Sequence, residues 1–383
     1  MDYQYSEEQR LLQSTVRRLV DQRYSFQKRR SIVASQDGWS RDIWREFANL
    51  GLLGIPFEER HGGMGAGAIE LMIVMEALGR GLVVEPFLET VVLAGGLLRH
   101  GGSEEQKRAI IPGIISGERI YALAFAEPQG RFNLANVTTA ATRQGDRWRL
   151  DGHKGVVYGA PWADGIFLTA RSAGGVRDSH GVTVFHVPSS ARGVTLKPYQ
   201  TIDGRRAAEV ILDAVDVPGD AVIGPVHQGL ALIERIVDEG IAAVCAEAAG
   251  AMEALNEKTL EYCKTRETFG KQLSQYQVLQ HRLVDMHVSH AYAASTALMA
   301  ALRRDAPPRE RAKAASIAKY HACRDGRFVG QNAIQLHGGI GMTDEIDIGH
   351  YFKRLTAIDF LFGNADHHLR RHAELSRAPG VAA

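Results

Sequence analysis

At 383 residues the chain is long for a single hydrophobic core, and two or three domains are expected. Forty-five basic side chains against 44 acidic ones leave a formal net charge of +1, so there is no bulk charge with which to hold nucleic acid or a membrane surface. With 45% hydrophobic and 23% charged residues and no uncharged window of membrane-spanning length, the composition is that of a soluble globular protein.

Met1 to Arg10 carries acids and polar residues instead of a basic start and an apolar run, so no export signal is expected. Cys245, Cys263 and Cys323 are an odd count without CxxC spacing, each in a helical pattern. That disfavours a disulfide framework or a zinc site and points to a reduced cytoplasm.

Ser6-Glu-Glu-Gln9 is a capping box that starts a helix with Leu11, Leu12, Val16, Leu19 and Val20 inward. Ser40 starts another, carrying Ile43, Trp44 and Phe47 and stopped by Gly51 and Gly54-Ile55-Pro56. The glycine-rich turn from His61 to Gly67 either cradles a phosphate or only joins helices; no Lys-Ser/Thr follows it. Helical stretches over 68–78 and 86–100, and from the capped Ser103 to Ser116, complete an all-helical first third.

From Glu118 to about Gly224 the pattern becomes short β-type runs between turn residues: 121–126, 137–143, 148–151, 166–170, 182–187, 194–197 and 208–212. Gly145-Asp146, Asp151-Gly152, Gly174-Gly175 and Asp203-Gly204 punctuate them. Without helices between the strands, this predicts an antiparallel β domain and not a dinucleotide-binding βαβ unit.

Beyond Pro225 four long helical patterns predict an up-down bundle ending in a frayed tail from Arg377. The first bundle corner reads Arg266-Glu-Thr-Phe-Gly270. Gly270 suits a tight turn, and Arg266 either caps the helix beside a buried Phe269 or offers its five-donor fork to phosphate oxygens. The divisions are 1–119, 120–225 and 226–383.

Arg266-x-x-Phe269-Gly270, Gln335-x-x-Gly338-Gly339-x-Gly341 at a later bundle corner and Ala126-Glu127-Pro128 in the β domain together resemble the acyl-CoA dehydrogenase family over nearly the whole chain. Within that family the chain is similar to the small subunits of pimeloyl-CoA dehydrogenase. The resemblance implies an α+β fold: an N-terminal helical domain, a middle antiparallel β domain and a C-terminal four-helix bundle. It implies FAD, with Phe125 and Ala126 beside the flavin of the chain's own β domain. Arg266 and Phe269 would meet the FAD of an adjacent subunit, and Gln335 with the Gly338-Gly339 backbone would close over it. An acyl-CoA substrate, an electron-transfer flavoprotein and a homo- or hetero-oligomer that includes a large acyl-CoA dehydrogenase subunit are implied as partners.

The chain departs from that family at the flavin and at the base. Where a Gly-x-Gly-Ser segment usually follows Glu-Pro, it has Gln129-Gly130-Arg131-Phe132, and Val156 and Tyr158 stand where a tryptophan and a threonine are usual. The carboxylate that removes the α-proton usually precedes a Gly-Thr pair near the end of the bundle; that place holds Phe362, and the alternative place on the first bundle helix holds Gly240. Glu239 adjoins the latter and is the candidate replacement base, although one helical residue is a rotation of about 100°; its other readings are a solvated face or a helix contact. His367, His368 and His372 offer an i, i+4 pair but no third metal ligand, Glu345 has a structural reading, and Lys353-Arg354 reads as a surface or interface pair. Two functions follow: α,β-dehydrogenation of an acyl-CoA, medium-chain dicarboxylyl-CoA such as pimeloyl-CoA among them, as a subunit of a heteromeric enzyme; or a non-catalytic partner that supplies half of a FAD site to a catalytic large subunit. A flavin-binding scaffold without dehydrogenation is the third.

Overall fold

The computed structural model describes residues 4–377, so the expected frayed tail lies outside the described residues from position 378 on. Helix α1 (Glu7–Arg23) starts at the Ser6–Gln9 capping box, with both reciprocal bonds present. Helix α2 (Phe26–Ala34) was not expected from periodicity, because only Arg29 and Ile32 of its nine residues are buried; Ser25 starts it by accepting the Lys28 N–H at 3.3 Å. Helices α3 (Arg41–Asn49) and α4 (Ala68–Arg80) follow. The stretch expected over 86–100 begins as a fully buried π-helical segment, Leu88–Ala94, that runs into α5 (Gly95–Gly101), and α6 (Glu104–Ile115) has its capping box at Ser103.

The middle of the chain forms one sheet from β1 (Tyr121–Ala124), β2 (Ala140–Gln144), β3 (Arg147–Tyr158), β4 (Gly165–Arg171), β5 (Val182–Pro188), β6 (Val194–Gln200), β7 (Arg206–Pro218) and β8 (Val222–Ile223). The order is β6-β7-β3-β2-β4-β5-β8, with β1 also on β4; pairings are antiparallel except β1 and β2 against β4. Gly145-Asp146 makes the expected hairpin, but Asp151-Gly152 does not end a strand. It is a bulge inside the continuous β3, where a side chain at Gly152 would strike Thr139 at 2.5 Å. A second irregularity between Lys154 and Val157 turns Val156 to φ +52°. Trp148, Leu150, Ile166, Leu168, Phe185, Val210 and Val215 fill the core.

Helix α7 (Gly229–Thr265) leads through the two-residue strands β9 (Glu267–Thr268) and β10 (Lys271–Gln272) to α8 (Gln277–Leu302) and α9 (Pro308–His337). The expected fourth bundle helix is two, α10 (Ile348–Phe360) and α11 (Ala365–Ser376), because Phe362 and Gly363 both take positive φ, +60° and +114°. Lys353-Arg354 is not a surface pair: Arg354 is buried and donates Nε and Nη2 to the two oxygens of Glu247 at 2.8 and 2.7 Å, clamping α10 to α7. A Cβ at Gly79 would lie 1.9 Å from the Glu247 carbonyl, and one at Gly250 equally close to that of Glu76, so this glycine pair lets α4 and α7 touch backbone to backbone.

The chain divides into two compact units. One holds the chain up to Ala34, Ala68–Val83 and everything from Ile241; the other holds Ser35–Gly67 and Val84–Gly240. The helical first third is thus shared, with α1, α2 and α4 packing with the bundle and α3, α5 and α6 with the sheet.

Candidate functional site

In the bundle unit, α7 ends with the Arg266 N–H on the Tyr262 carbonyl at 2.9 Å, and the Arg266 carbonyl accepts Leu273 N–H at the same distance. The β9–β10 hairpin turns through Phe269 and Gly270 at φ +53° and +79°. Positive φ at both positions is the two-residue turn that matches strand twist, and Phe269 occupies a position where asparagine or glycine would be strain-free. The hairpin is braced by Tyr276, whose hydroxyl donates to the Thr268 carbonyl at 2.7 Å and whose ring lies 4.1 Å from the Lys271 ammonium. Phe269 is not the buried aromatic of the capping alternative: it is 93% exposed.

At the second corner α9 stops at His337, and Gly338 takes φ +64°, ψ −142°, a region open in practice only to glycine. A Cβ built at Gly338 or Gly339 meets nothing within 4 Å, so a ligand can approach this backbone closely. Gln335 and Arg266 are exposed beside these elements. The two corners are joined, because Tyr262, one turn before Arg266, stacks on His337. Arg266, Phe269, Gln335, Gly338 and Gly339 therefore belong to one region with a guanidinium fork, an aromatic face and open glycine backbone, the donor set a dinucleotide diphosphate requires.

Phe125 and Ala126 lie in the sheet unit and are half-buried. The Ala126 carbonyl accepts the Gly155 N–H at 3.0 Å, and the next residue, Glu127, is buried against Lys154. Glu127 Oε1 receives Lys154 Nζ at 2.5 Å and the Thr139 N–H at 3.1 Å; Oε2 receives Thr138 N–H, Thr138 Oγ1 and Gln129 Nε2. Burial opposes ionisation of Glu127, but Lys154 and the threonine donors outweigh it and hold the carboxyl at about 2. Burial draws Lys154 down to about 8 against the pull of Glu127. Of the four residues that depart from the family pattern, Arg131, at φ +47°, and Val156, 55% exposed, lie at the surface, and Phe132 and Tyr158 are half-buried.

Glu239 also lies in the sheet unit. Arg99 Nη2 donates to its Oε2 at 2.6 Å, His100 Nε2 lies 2.7 Å from Oε1, and Arg235 Nε is 3.4 Å from the same oxygen. Both carboxylate oxygens of Glu239 are therefore already engaged by the chain's own side chains, two of them arginines. Gly240 carries no side chain, and Phe362 occupies the strained α10–α11 link.

Sequence reasoning missed what holds that link. The fully buried Lys319 donates to the carbonyls of Ile358 at 2.8 Å and Gly363 at 2.7 Å and reaches Cys323 Sγ at 3.1 Å. The buried His368 donates Nε2–H to the Phe362 carbonyl at 3.0 Å; desolvation, with Lys319 nearby, lowers its pKa to about 2, so it is neutral. The available signal was a lysine at helical spacing among Ala315, Ala318 and Ala322. Asp359, one turn before Phe362, is 3% exposed; Oδ2 pairs with Arg327, and Oδ1 has no hydrogen-bond partner among the described residues. All three cysteines are buried free thiols, and burial pushes Cys323 up to about 12. Among the described residues there is no cluster of three or more His, Cys, Asp or Glu able to hold a metal, and no helix long and apolar enough to cross a membrane.

Three family models match in order along the chain: the acyl-CoA dehydrogenase N-terminal domain over residues 6–118, the middle domain over 122–215 and the C-terminal domain over 227–375. The chain belongs to the acyl-CoA dehydrogenase family. Members of this family are FAD-dependent oxidoreductases. The chain is 29% identical over 310 residues to a probable acyl-CoA dehydrogenase of Bacillus subtilis, YngJ, covering 80% of this chain and 81% of that one. A variant of the Tcur3481-Tcur3483 steroid ACAD superposes with a TM-score of 0.87 at 29% identity, over 96% of this chain and 97% of the other. The ChsE4-ChsE5 complex from Mycobacterium tuberculosis gives 0.89 at 27% identity, over 99% and 100%.

Proposed function

We propose that this chain is a subunit of a heteromeric, FAD-dependent acyl-CoA dehydrogenase, and that its bundle lends the diphosphate and adenosine half of a flavin site to a catalytic large subunit. Arg266 would pair with diphosphate oxygens, Phe269 would cover the cofactor, and Gln335 with the Gly338-Gly339 backbone would close over it. The observation that carries this reading is Phe269, an aromatic held at a positive φ and left 93% exposed beside glycines with open space. The two-component names of the steroid ACAD and the ChsE4-ChsE5 complex accord with it. Bound FAD would supply the hydride acceptor for the β-carbon of an acyl-CoA, and a carboxylate would have to take the α-proton. With Gly240 and Phe362 at the positions usual for that carboxylate, this chain's own residues forfeit about 10²–10⁴-fold in rate. Resemblance to the small subunits of pimeloyl-CoA dehydrogenase supports a medium-chain dicarboxylyl-CoA substrate, an electron-transfer flavoprotein as acceptor and a cytoplasmic site of action.

The test is the flavin-to-chain ratio of the protein expressed alone and with its genomic neighbour. Little flavin alone and a stoichiometric amount in the assembly is the expected result. A yellow, stoichiometric homo-oligomer with the ring against Phe125 and Ala126 would overturn it.

A second reading, in which this chain dehydrogenates by itself, is favoured by Asp359, whose buried Oδ1 accepts no hydrogen bond from any described residue. Glu239, the replacement base suggested by sequence position, is engaged by Arg99 and His100 and is the weaker candidate. Should the chain alone turn over saturated acyl-CoAs, Asp359→Asn is expected to abolish that turnover and Glu239→Gln to spare it; the converse would move the base to Glu239.

A further inference from the structure

Arg266-Phe269 and Gln335-Gly338-Gly339 are separated by about seventy residues and end different helices, so one cofactor can use both only if the two corners keep a constant relation. The geometry points to Tyr262 and His337 as the link that sets it, an inference that rests on the cofactor assignment above and concerns how that site is held.

Tyr262 touches both corners. Its own carbonyl accepts the Arg266 N–H at 2.9 Å, which closes the last turn of α7 and sets where the guanidinium leaves the helix. Its ring lies on the imidazole of His337 with centroids 4.3 Å apart and planes 24° from parallel, a stacked contact. Its hydroxyl donates, at a long 3.4 Å, to the His337 carbonyl. That oxygen belongs to the peptide joining His337 to Gly338, the point at which the chain enters its glycine-only conformation.

His337 is fixed from its remaining sides. Its Nδ1 lies 2.8 Å from the Ala333 carbonyl one turn back and donates to it. A Cβ added at Gly341 would lie 3.0 Å from the His337 Cβ, so the glycine loop folds back onto this side chain with no room for another atom. Burial lowers the imidazole's pKa, which favours the neutral ring with its one donor used on Ala333. The ring is thus a buried plate with helix α9 behind it, the glycine loop around it and Tyr262 on its face. A shift of the α7 end relative to the α9 end would break the stack, and the stack therefore holds the Arg266 fork and the open glycine backbone in register. Tyr262 and His337 are positioning residues, not ligands of the flavin.

The hydroxyl bond is long and the ring contact close, so the ring is expected to matter more than the oxygen. In the co-expressed assembly, Tyr262→Leu is expected to weaken FAD retention about three- to tenfold, the span of one aromatic stack, while Tyr262→Phe stays within about twofold. Flavin release during dilution and gel filtration, followed at the flavin absorbance, gives the dissociation constant without reference to turnover. Val244→Ala, a core truncation in the same helix away from both corners, separates lost stability from lost positioning: it should lower the melting temperature and leave FAD retention unchanged. Arg266→Ala in the same assembly reports on the cofactor assignment itself. If Arg266→Ala sheds flavin and Tyr262→Leu does not, the linking role is wrong and the cofactor assignment stands. Should the Phe variant be as depleted as the Leu variant, the stack is not the link. If neither Arg266→Ala nor Tyr262→Leu alters retention, the flavin is not at these corners and both proposals fall.

Discussion

The bundle corners and the β-domain ledge at Phe125-Ala126 are built on opposite plans. At the corners strain is spent on exposure: Phe269 and Gly338 hold positive φ, yet Phe269 projects outward and no atom lies within 4 Å of a Cβ at Gly338. The ledge is completed from within, since Glu127 already has Lys154, Thr138, Thr139 and Gln129 on its two oxygens. A surface prepared for something outside the chain leaves donors and backbone open, whereas one that serves the chain's own stability consumes them. This difference is the physical content of the proposal that flavin is shared unequally between subunits.

The comparison breaks most easily at Lys154. Lys154→Met would strand the buried Glu127 carboxylate, at an expected cost of about 3–5 kcal/mol in chemical denaturation. The acid limb supplies a sign. Glu127 sits below its ordinary 4.5, so its contribution is complete above that value and is lost as pH falls from 4.5 toward about 2. Wild type should lose stability over that window and the methionine variant should lose less. A methionine variant as stable as wild type would mean that the ledge is not held by this pair.

The corners should respond less in stability and more in binding. Gly338→Ala has no steric neighbour to meet and acts only through its backbone region, at about 1–3 kcal/mol. Gly339→Ala, without a positive φ and equally open, should leave the melting temperature unchanged and still reduce flavin content in the assembly by placing a methyl where close approach is needed. Unchanged flavin content in Gly339→Ala would remove that glycine from the site.

The outline of the candidate site's two corners was legible as local structure. Arg266, Phe269, Gly270, Gln335, Gly338 and Gly339 stand at helix ends because glycine and charge interrupt apolar periodicity there, and the structure gathers them into one region. That positions 240 and 362 hold no carboxylate was readable from residue type alone. Lys319, His368 and Asp359 were not, because a buried polar side chain looks like a surface one until its partners are known, and those partners are backbone carbonyls or an arginine on another helix. Arg354 was misread for the same reason: its partner Glu247 is more than a hundred residues away.

Local chemistry in the sequence determined the elements: the capping boxes at Ser6 and Ser103, the Gly145-Asp146 hairpin, the long helix α7 and its end at Arg266 all follow from neighbours within a few residues. Only tertiary structure decided which partner each element took. It assigned α1, α2 and α4 to the bundle and α3, α5 and α6 to the sheet, made Asp151-Gly152 a bulge in place of a strand end, and broke the last bundle helix at Phe362 where Lys319 and His368 could bind the freed carbonyls. Each of those outcomes depends on close contact between residues far apart in the chain, such as the backbone approach at Gly79 and Gly250, and spacing along one segment carries no record of the other.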